Sequence, residues 1–332
     1  NELSPIELTQ YMFDRIDSVD TEILSYATLM RDTALDKARK LSENSDMSDL
    51  PMYGIPIAVK DLCYTNGVRT MGGTAVLEDF VPKYDSTVVE RLDKAGAILL
   101  GKLNLTEGAM GGYNPKRQVP KNPWDTTKWS GSSSSGSGAS TAAGLCFGSL
   151  GSDTGGSIRY PSSACGIVGL KPTYGRVSRY GVLDLAPSLD HVGPMTRTVN
   201  DAWTMFNAIE GFDPKDPTTL KRDSDEVINH LDKSNIVIGY DDHYASYGVN
   251  EEITKSIREA VNKFQDLNFI VKDVNMPKNI SDFLPYWPVL CTAEAAVAHS
   301  EYFPSQKEDY GPWFQSWLEI GNAVTKEEYI EA

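Results

Sequence analysis

Three short stretches carry the residue types that could do covalent chemistry: "GIPIAVKD" (54–61), "WSGSSSSGSGAS" (129–140) and "GSDTGGSIR" (151–159). In the third, the pair Gly155-Gly156 frees the backbone to turn sharply and to aim the successive amides of Thr154, Gly155, Gly156 and Ser157 into one concavity, as an oxyanion requires. Ser157, beside that nest, is a candidate nucleophile and needs a base. The four histidines, His191, His230, His243 and His299, fall in no metal-binding or catalytic pattern. A Ser-His-Asp system could run only through His191, and "SLDHVGPMTR" suits a structural group. A neutral lysine is the other option. Lys60 directly follows Ile57-Ala58-Val59, at the end of a strand expected to be buried, where desolvation lowers an amine's pKa. Each feature also has a plainer reading: most lysines snorkel to solvent, and a Gly-Gly turn beside a solvent-facing serine looks the same in sequence.

The serine-rich stretch reads as machinery rather than a linker. Gly/Ser linkers have polar flanks, whereas this one runs into "GASTAAGLCFGSLG", small and apolar, which suits a helix packed closely on a sheet followed by a turn into "SDTGGSIRYP". Two such loops, separated by about one helix and one strand, can converge at one end of a sheet, where α/β folds place their sites. "GSSSSG" contains G-x-x-x-x-G, but Ser137-Gly138 follows where a phosphate loop needs Lys and Ser or Thr. G-x-G-x-x-G and the G-x-S-x-G elbow are both absent here.

Elements to position these loops are legible. Ser4-Pro5-Ile6-Glu7 is a capping box with Pro at the first helical position, and Leu8, Met12, Ile16 and Val19 follow at helical spacing. A second helical face carries Ala34, Ala38 and Leu41. The short apolar runs 54–61 and 95–105 read as buried strands, with "DSTVVERLDKAG" (85–96) as the helix between them, a unit that implies a parallel sheet. "NIVIGY" (235–240), the helix 251–268 and "FIVKDV" (269–274) repeat that order. The fold class expected is α/β, a mixed, mostly parallel central sheet covered by helices on both faces.

Composition bounds the function. With 31 Lys+Arg against 46 Asp+Glu and a net charge of −15, the chain is no general phosphate-backbone binder. No run approaches the roughly 18–20 apolar residues of a membrane helix, and "NELSPIELTQ" lacks a signal peptide's basic start and apolar centre. Cys63, Cys146, Cys165 and Cys291 form no CxxC pair, which reads as reduced buried thiols of a cytoplasmic protein without structural zinc. Asn1 in place of Met and the helix-like "KEEYIEA" without a closing turn read as cut ends.

"GSSSSGS" (131–137), "GSDTGGSIRYPSSACGIVGLKPTYGRVS" (151–178) and "GIPIAVKD" together resemble the amidase signature family, the Ser-cisSer-Lys amide hydrolases. The resemblance implies one amidase signature domain over 1–332 with a truncated C-terminal part: N-terminal helices to residue 50, a catalytic core at 51–205 and a variable substrate-side segment at 206–332. It implies that Lys60 is the catalytic base, Ser133 the bridging serine after a cis Ser132-Ser133 peptide, and Ser157 the nucleophile. Thr154, Gly155, Gly156 and Ser157 would supply the oxyanion hole. Ser132 and Ser135 stand where the family often has glycine, which points to a stiffer loop or one shaped for another substrate.

"GAMGGYNP" (108–115) resembles the loop bordering the family's pocket and nominates Gly112 and Tyr113 as substrate contacts. Asp153 and Arg159 are expected to brace the nest, with Lys171 and His191 as supports. The activity implied is hydrolysis of a carboxamide through an acyl-serine, without metal or cofactor. The expected partners are a small-molecule amide and at most a second copy of the chain, with neither nucleic acid nor membrane. A rival reading is the glutamine-hydrolysing A subunit of a tRNA-dependent amidotransferase.

Overall fold

The computed structural model describes residues 3–44, 47–221, 236–277 and 279–332, so that His230 and Asn235 lie outside the described residues. The chain divides into two compact units, residues 1–223 with 289–332, and residues 224–288.

The larger unit opens with α1 (Pro5–Ile23). The capping box closes as the sequence predicts, with Ser4 accepting from the Glu7 amide and Glu7 reaching back to the Ser4 amide. Next come β1 (Tyr26–Leu29), α2 (Arg31–Glu43), β2 (Pro56–Lys60), α3 (Thr87–Lys94), β3 (Ile98–Leu103), α4 (Ser135–Ala142), β4 (Gly148–Asp153), α5 (Arg159–Cys165), β5 (Val168–Gly169), β6 (His191–Thr196) and α6 (Val199–Ile209). The strands form one sheet in the order β1-β3-β2-β4-β6-β5. At its centre β3, β2 and β4 are parallel, while β1 is antiparallel to β3, and β6 is antiparallel to both β4 and β5. β2, β3, β4 and β5 therefore point one way and β1 and β6 the other, which is the mixed, mostly parallel sheet the sequence predicts. β1 was hidden from the helical reading of the first 50 residues: only four residues long, it sits between two stronger helical patterns.

β2 shows why its apolar run is unbroken. Ile57 and Val59 join one core cluster with Val88, Val89 and Leu92 of α3 and Met205, Phe206 and Ile209 of α6. Ala58 joins a second cluster with Met12, Phe13 and Ile16 of α1 and Ala34, Ala38 and Leu41 of α2. Successive side chains point to opposite faces, and both faces are covered by helices. Each such Val, Leu, Ile, Phe or Met side chain stabilises the fold by about 1.5–3 kcal/mol when fully buried.

In the smaller unit, β7 (Val237–Tyr240) and β8 (Ile270–Asp273) form a two-stranded parallel sheet of their own, joined through α7 (Asp242–Ser246) and α8 (Glu251–Asp266). Asn250 caps α8 by accepting from the Glu252 amide at 2.8 Å. α9 (Tyr286–Ala298) leads back into the larger unit, which ends with α10 (Pro312–Ala323) and α11 (Lys326–Glu331). Among the described residues no helix is long and apolar enough to cross a membrane.

Candidate active site

β2 ends on Lys60, and the side chain does not snorkel. It is 1% exposed, and its Nζ donates to Ser133 Oγ at 2.6 Å and to Ser152 Oγ at 2.8 Å. Burial lowers its pKa from 10.5 to about 7; Asp190, Cys63 and Asp153 pull the other way without cancelling the desolvation. Near neutral pH a large fraction of this amine is therefore unprotonated, as a base must be.

The serine loop is pinned on both sides. Gly131 has a φ of 85°, and a Cβ there would stand 2.4 Å from the Pro161 Cα, so no larger residue fits the turn. The Ser132-Ser133 peptide is cis. At Gly136 a Cβ would fall 2.5 Å from the Asn104 carbonyl oxygen, which is why α4 begins with glycine among its serines. The hydroxyls then lace α4 to β4. Ser134 Oγ donates to the Ser152 carbonyl at 3.1 Å and accepts from the Ser152 amide at 3.2 Å, while Ser137 Oγ donates to the Leu150 carbonyl at 2.9 Å. The Ser134 amide also donates to the Ser157 carbonyl at 3.3 Å, tying the two loops together.

Asp153, the last residue of β4, organises the second loop. Its carboxylate accepts from the Gly156 and Ile158 amides at 2.8 and 3.1 Å, and from Arg159 Nε and Nη2 at 3.0 and 2.9 Å. Burial alone would raise this carboxyl, but the hydrogen bonds from Arg159, Ile158 and Gly156 outweigh it and hold its pKa below the ordinary value. The same contacts correct one expectation. The Gly156 amide is committed to Asp153 Oδ1, so its hydrogen braces the turn instead of facing an incoming oxygen. Ser157 lies half-buried on the loop that follows.

The sequence reading missed three groups. Ser152 is the second partner of Lys60. Asp190 accepts from Thr154 Oγ1 at 2.5 Å and from the Leu185 and Ala186 amides at 2.9 and 3.0 Å, joining the nest to the 185–190 segment. Lys102 of β3, fully buried, faces Asp61 at 3.2 Å and donates to Thr70 Oγ1 at 2.6 Å. Only Ser152 left a signal, its place beside Asp153 at a strand end.

Gly112 packs against α10, where a Cβ would meet the Trp313 side chain at 2.7 Å, and its carbonyl accepts from the Glu107 amide at 2.8 Å. The Tyr113 hydroxyl is buried beside Ser135 and Trp129, and burial pushes its pKa up. His191 lies on backbone carbonyls, with Nδ1 2.7 Å from that of Leu189 and 3.1 Å from that of Asp153. Lys171 Nζ donates to the Pro172 carbonyl at 2.8 Å and lies within electrostatic reach of Asp153 and Arg159.

A buried amine serving two serine hydroxyls, beside a Gly-Gly turn at the end of a mixed α/β sheet, defines a serine–lysine type of site. The amidase family profile matches residues 7–332, and the chain belongs to that family, hydrolases that act on C–N bonds. It is 41% identical over 332 residues to the protein named "Putative amidase AmiD" in Mycobacterium tuberculosis, covering 99% of this chain and 69% of that protein. It is also 41% identical over 307 residues to the A subunit of the glutamyl-tRNA(Gln) amidotransferase of Carboxydothermus hydrogenoformans, covering 91% of this chain and 63% of that protein. The native peptide amidase of Stenotrophomonas maltophilia superposes with a TM-score of 0.86 at 28% identity, covering 99% of this chain and 75% of that one.

Proposed function

We propose that the protein hydrolyses a small-molecule carboxamide through an acyl-serine. The observation that carries this is the 2.6 Å contact between buried Lys60, whose pKa burial lowers to about 7, and Ser133 Oγ. Neutral Lys60 takes the Ser133 proton while Ser133 takes that of Ser157, whose oxygen bonds to the amide carbonyl carbon. The carbonyl oxygen becomes an oxyanion facing the amides of Thr154, Gly155 and Ser157. The C–N bond then breaks as Ser133 gives a proton to nitrogen and takes one back from Lys60, and ammonia or an amine leaves. Water attacks the ester by the reverse relay, releasing the acid and free Ser157.

The four buried, unpaired cysteines suit a reducing cytoplasm. A second reading is favoured by the 41% identity to the amidotransferase protein: the same site would hydrolyse glutamine and pass ammonia to a partner. Ammonia release from simple amides by the isolated protein supports the first reading; release only from glutamine, and only with a partner complex, supports the second.

The deciding experiment maps a fluorophosphonate probe by mass spectrometry. Labelling at Ser157 that is lost in Lys60→Ala is the expected result, and a folded protein unlabelled at Ser157 would sink the proposal.

A further inference from the structure

A cavity of 480 Å³ opens beside the site, and Leu62, Tyr64, Phe80, Asp184, Glu301 and Tyr302 are among the residues lining it. It shares Leu62, Val182, Leu183 and Asp184 with a small cleft that reaches Ser152, the hydroxyl bonded to Lys60. These four residues thus stand between an aromatic chamber and a cleft of about 10 Å³ that touches Ser152. Tyr64 stands 5.2 Å from Phe80 between ring centroids. Burial pushes the Tyr64 phenol up to about 12, helped by Tyr84, Tyr302, Asp184 and Glu301, so both carboxylates act on this ring.

The charges in the chamber have one sign. Among the described residues no lysine or arginine lines it, and burial pulls His299 down to about 4, which leaves that ring neutral at physiological pH. Asp184 is raised to about 6 by burial first and then by Asp190, with Arg179 opposing. Arg179 divides its guanidinium: Nη2 donates to Tyr174 Oη at 3.1 Å and to Thr218 Oγ1 at 3.2 Å, while Nη1 pairs with Asp184 at 3.6 Å from outside the chamber lining, which leaves Glu301 and the aromatic faces without a cation among the lining residues. Aromatic faces and carboxylates attract a cation and repel an anion.

We propose that this cavity binds the part of the amide substrate that carries a positive charge, an alkylammonium or guanidinium group, and that Asp184 is the residue that selects it. The placement beside Ser152 rests on the amidase reading above. A substrate seated there has its cation among Tyr64, Phe80, Tyr302 and the two carboxylates, and its carboxamide toward the Lys60 end of the cleft.

The test is calorimetric titration of the full chain with n-butylammonium chloride, with n-butanol as the neutral control. Butylammonium is expected to bind, to bind about tenfold more weakly in Asp184→Asn, and to recover in Asp184→Glu, which keeps the charge. No binding in the wild type, binding no tighter than that of n-butanol, or equal affinity in the Asn variant would overturn the proposal. In turnover, the ratio of kcat/KM for 5-aminopentanamide to that for pentanamide is expected to exceed about ten and to collapse toward one in Asp184→Asn; a wild-type ratio of one or less overturns the specificity assignment. The two readings fail separately. Cation binding that depends on Asp184, with Ser157 inert to fluorophosphonate, defeats the amidase reading and leaves the cation site. A labelled Ser157 with turnover of neutral amides and no cation binding does the reverse.

Discussion

Two lysines are buried on neighbouring parallel strands of one sheet, Lys60 on β2 and Lys102 on β3, and they are given different company. Lys102 faces the Asp61 carboxylate at 3.2 Å and adds a hydroxyl, Thr70. Lys60, one residue before Asp61, has hydroxyls for its hydrogen-bond partners, Ser133 and Ser152. A hydroxyl satisfies an N–H without compensating the desolvation of a charge, so burial wins at Lys60 and its pKa drops to about 7. Adjacent strands thus hold one amine as half of an ion pair and leave the other among hydroxyls, as the proposed base requires. What separates them is the partner's charge, since both are buried.

The sharpest way to break this comparison is to remove the amine proposed as base. Lys60→Ala and Ser157→Ala should each lower kcat/KM for any accepted amide by about 10⁴-fold or more, with Ser157 labelling lost in both. Steady-state ammonia release checks it, and a loss under tenfold from Lys60→Ala would move the base elsewhere. Next in size is the paired lysine. Asp61→Asn leaves Lys102 buried opposite a neutral amide and should destabilise the fold by about 3–5 kcal/mol in urea unfolding, whereas the double variant Asp61→Asn, Lys102→Met should regain much of that loss. A double variant no more stable than the single would show that the pair does not act as a unit.

Ser152 sharpens the contrast from the side of Lys60. Its hydroxyl accepts from Nζ and so favours the protonated amine; Ser152→Ala should lower the midpoint of the acid limb of the pH–rate profile as well as cut kcat about tenfold, and Ser152→Thr should restore both. An unmoved midpoint would make Ser152 merely structural. The wild-type profile gives the most graded effect. Lys60 is protonated below its pKa and neutral above it, so the Ser157 labelling rate should rise with pH, with a midpoint near 7, and fall about tenfold per unit well below it. A rate flat from mildly acidic to mildly alkaline pH would exclude Lys60 as the base.

How far the sequence carried depends on the residue. Lys60 was legible because an apolar run ending on a charge marks the end of a buried strand in a parallel sheet; Ser157 was nominated by the Gly-Gly turn before it, and its role as nucleophile belongs to the proposal. Ser133 came only from the family resemblance: Ser132, Ser133, Ser134 and Ser135 are chemically alike, and only the folded chain assigns Ser133 to Lys60 and Ser134 to the β4 backbone. Gly156 misled because a glycine's turn geometry does not say which acceptor takes its N–H; Asp153, three residues back, does. Lys102 and Asp61 were invisible as a pair because Asp61 opens the turn after β2 while Lys102 lies on β3, 41 residues on. The fold class followed from the strand–helix–strand pattern, while β1 and the separate sheet of β7 and β8 depend on pairings that periodicity does not encode.

The two hydrogen bonds of Lys60 span 73 and 92 residues of chain. In a nascent or unfolded chain this lysine is an ordinary solvated cation with no serine to activate. On the proposed mechanism, reactivity is thus a property of the finished fold and vanishes with it. The proposed serine chemistry would carry its own safety catch: a partly built copy could not attack the amides around it, and a serine-reactive probe would count only the molecules that have folded.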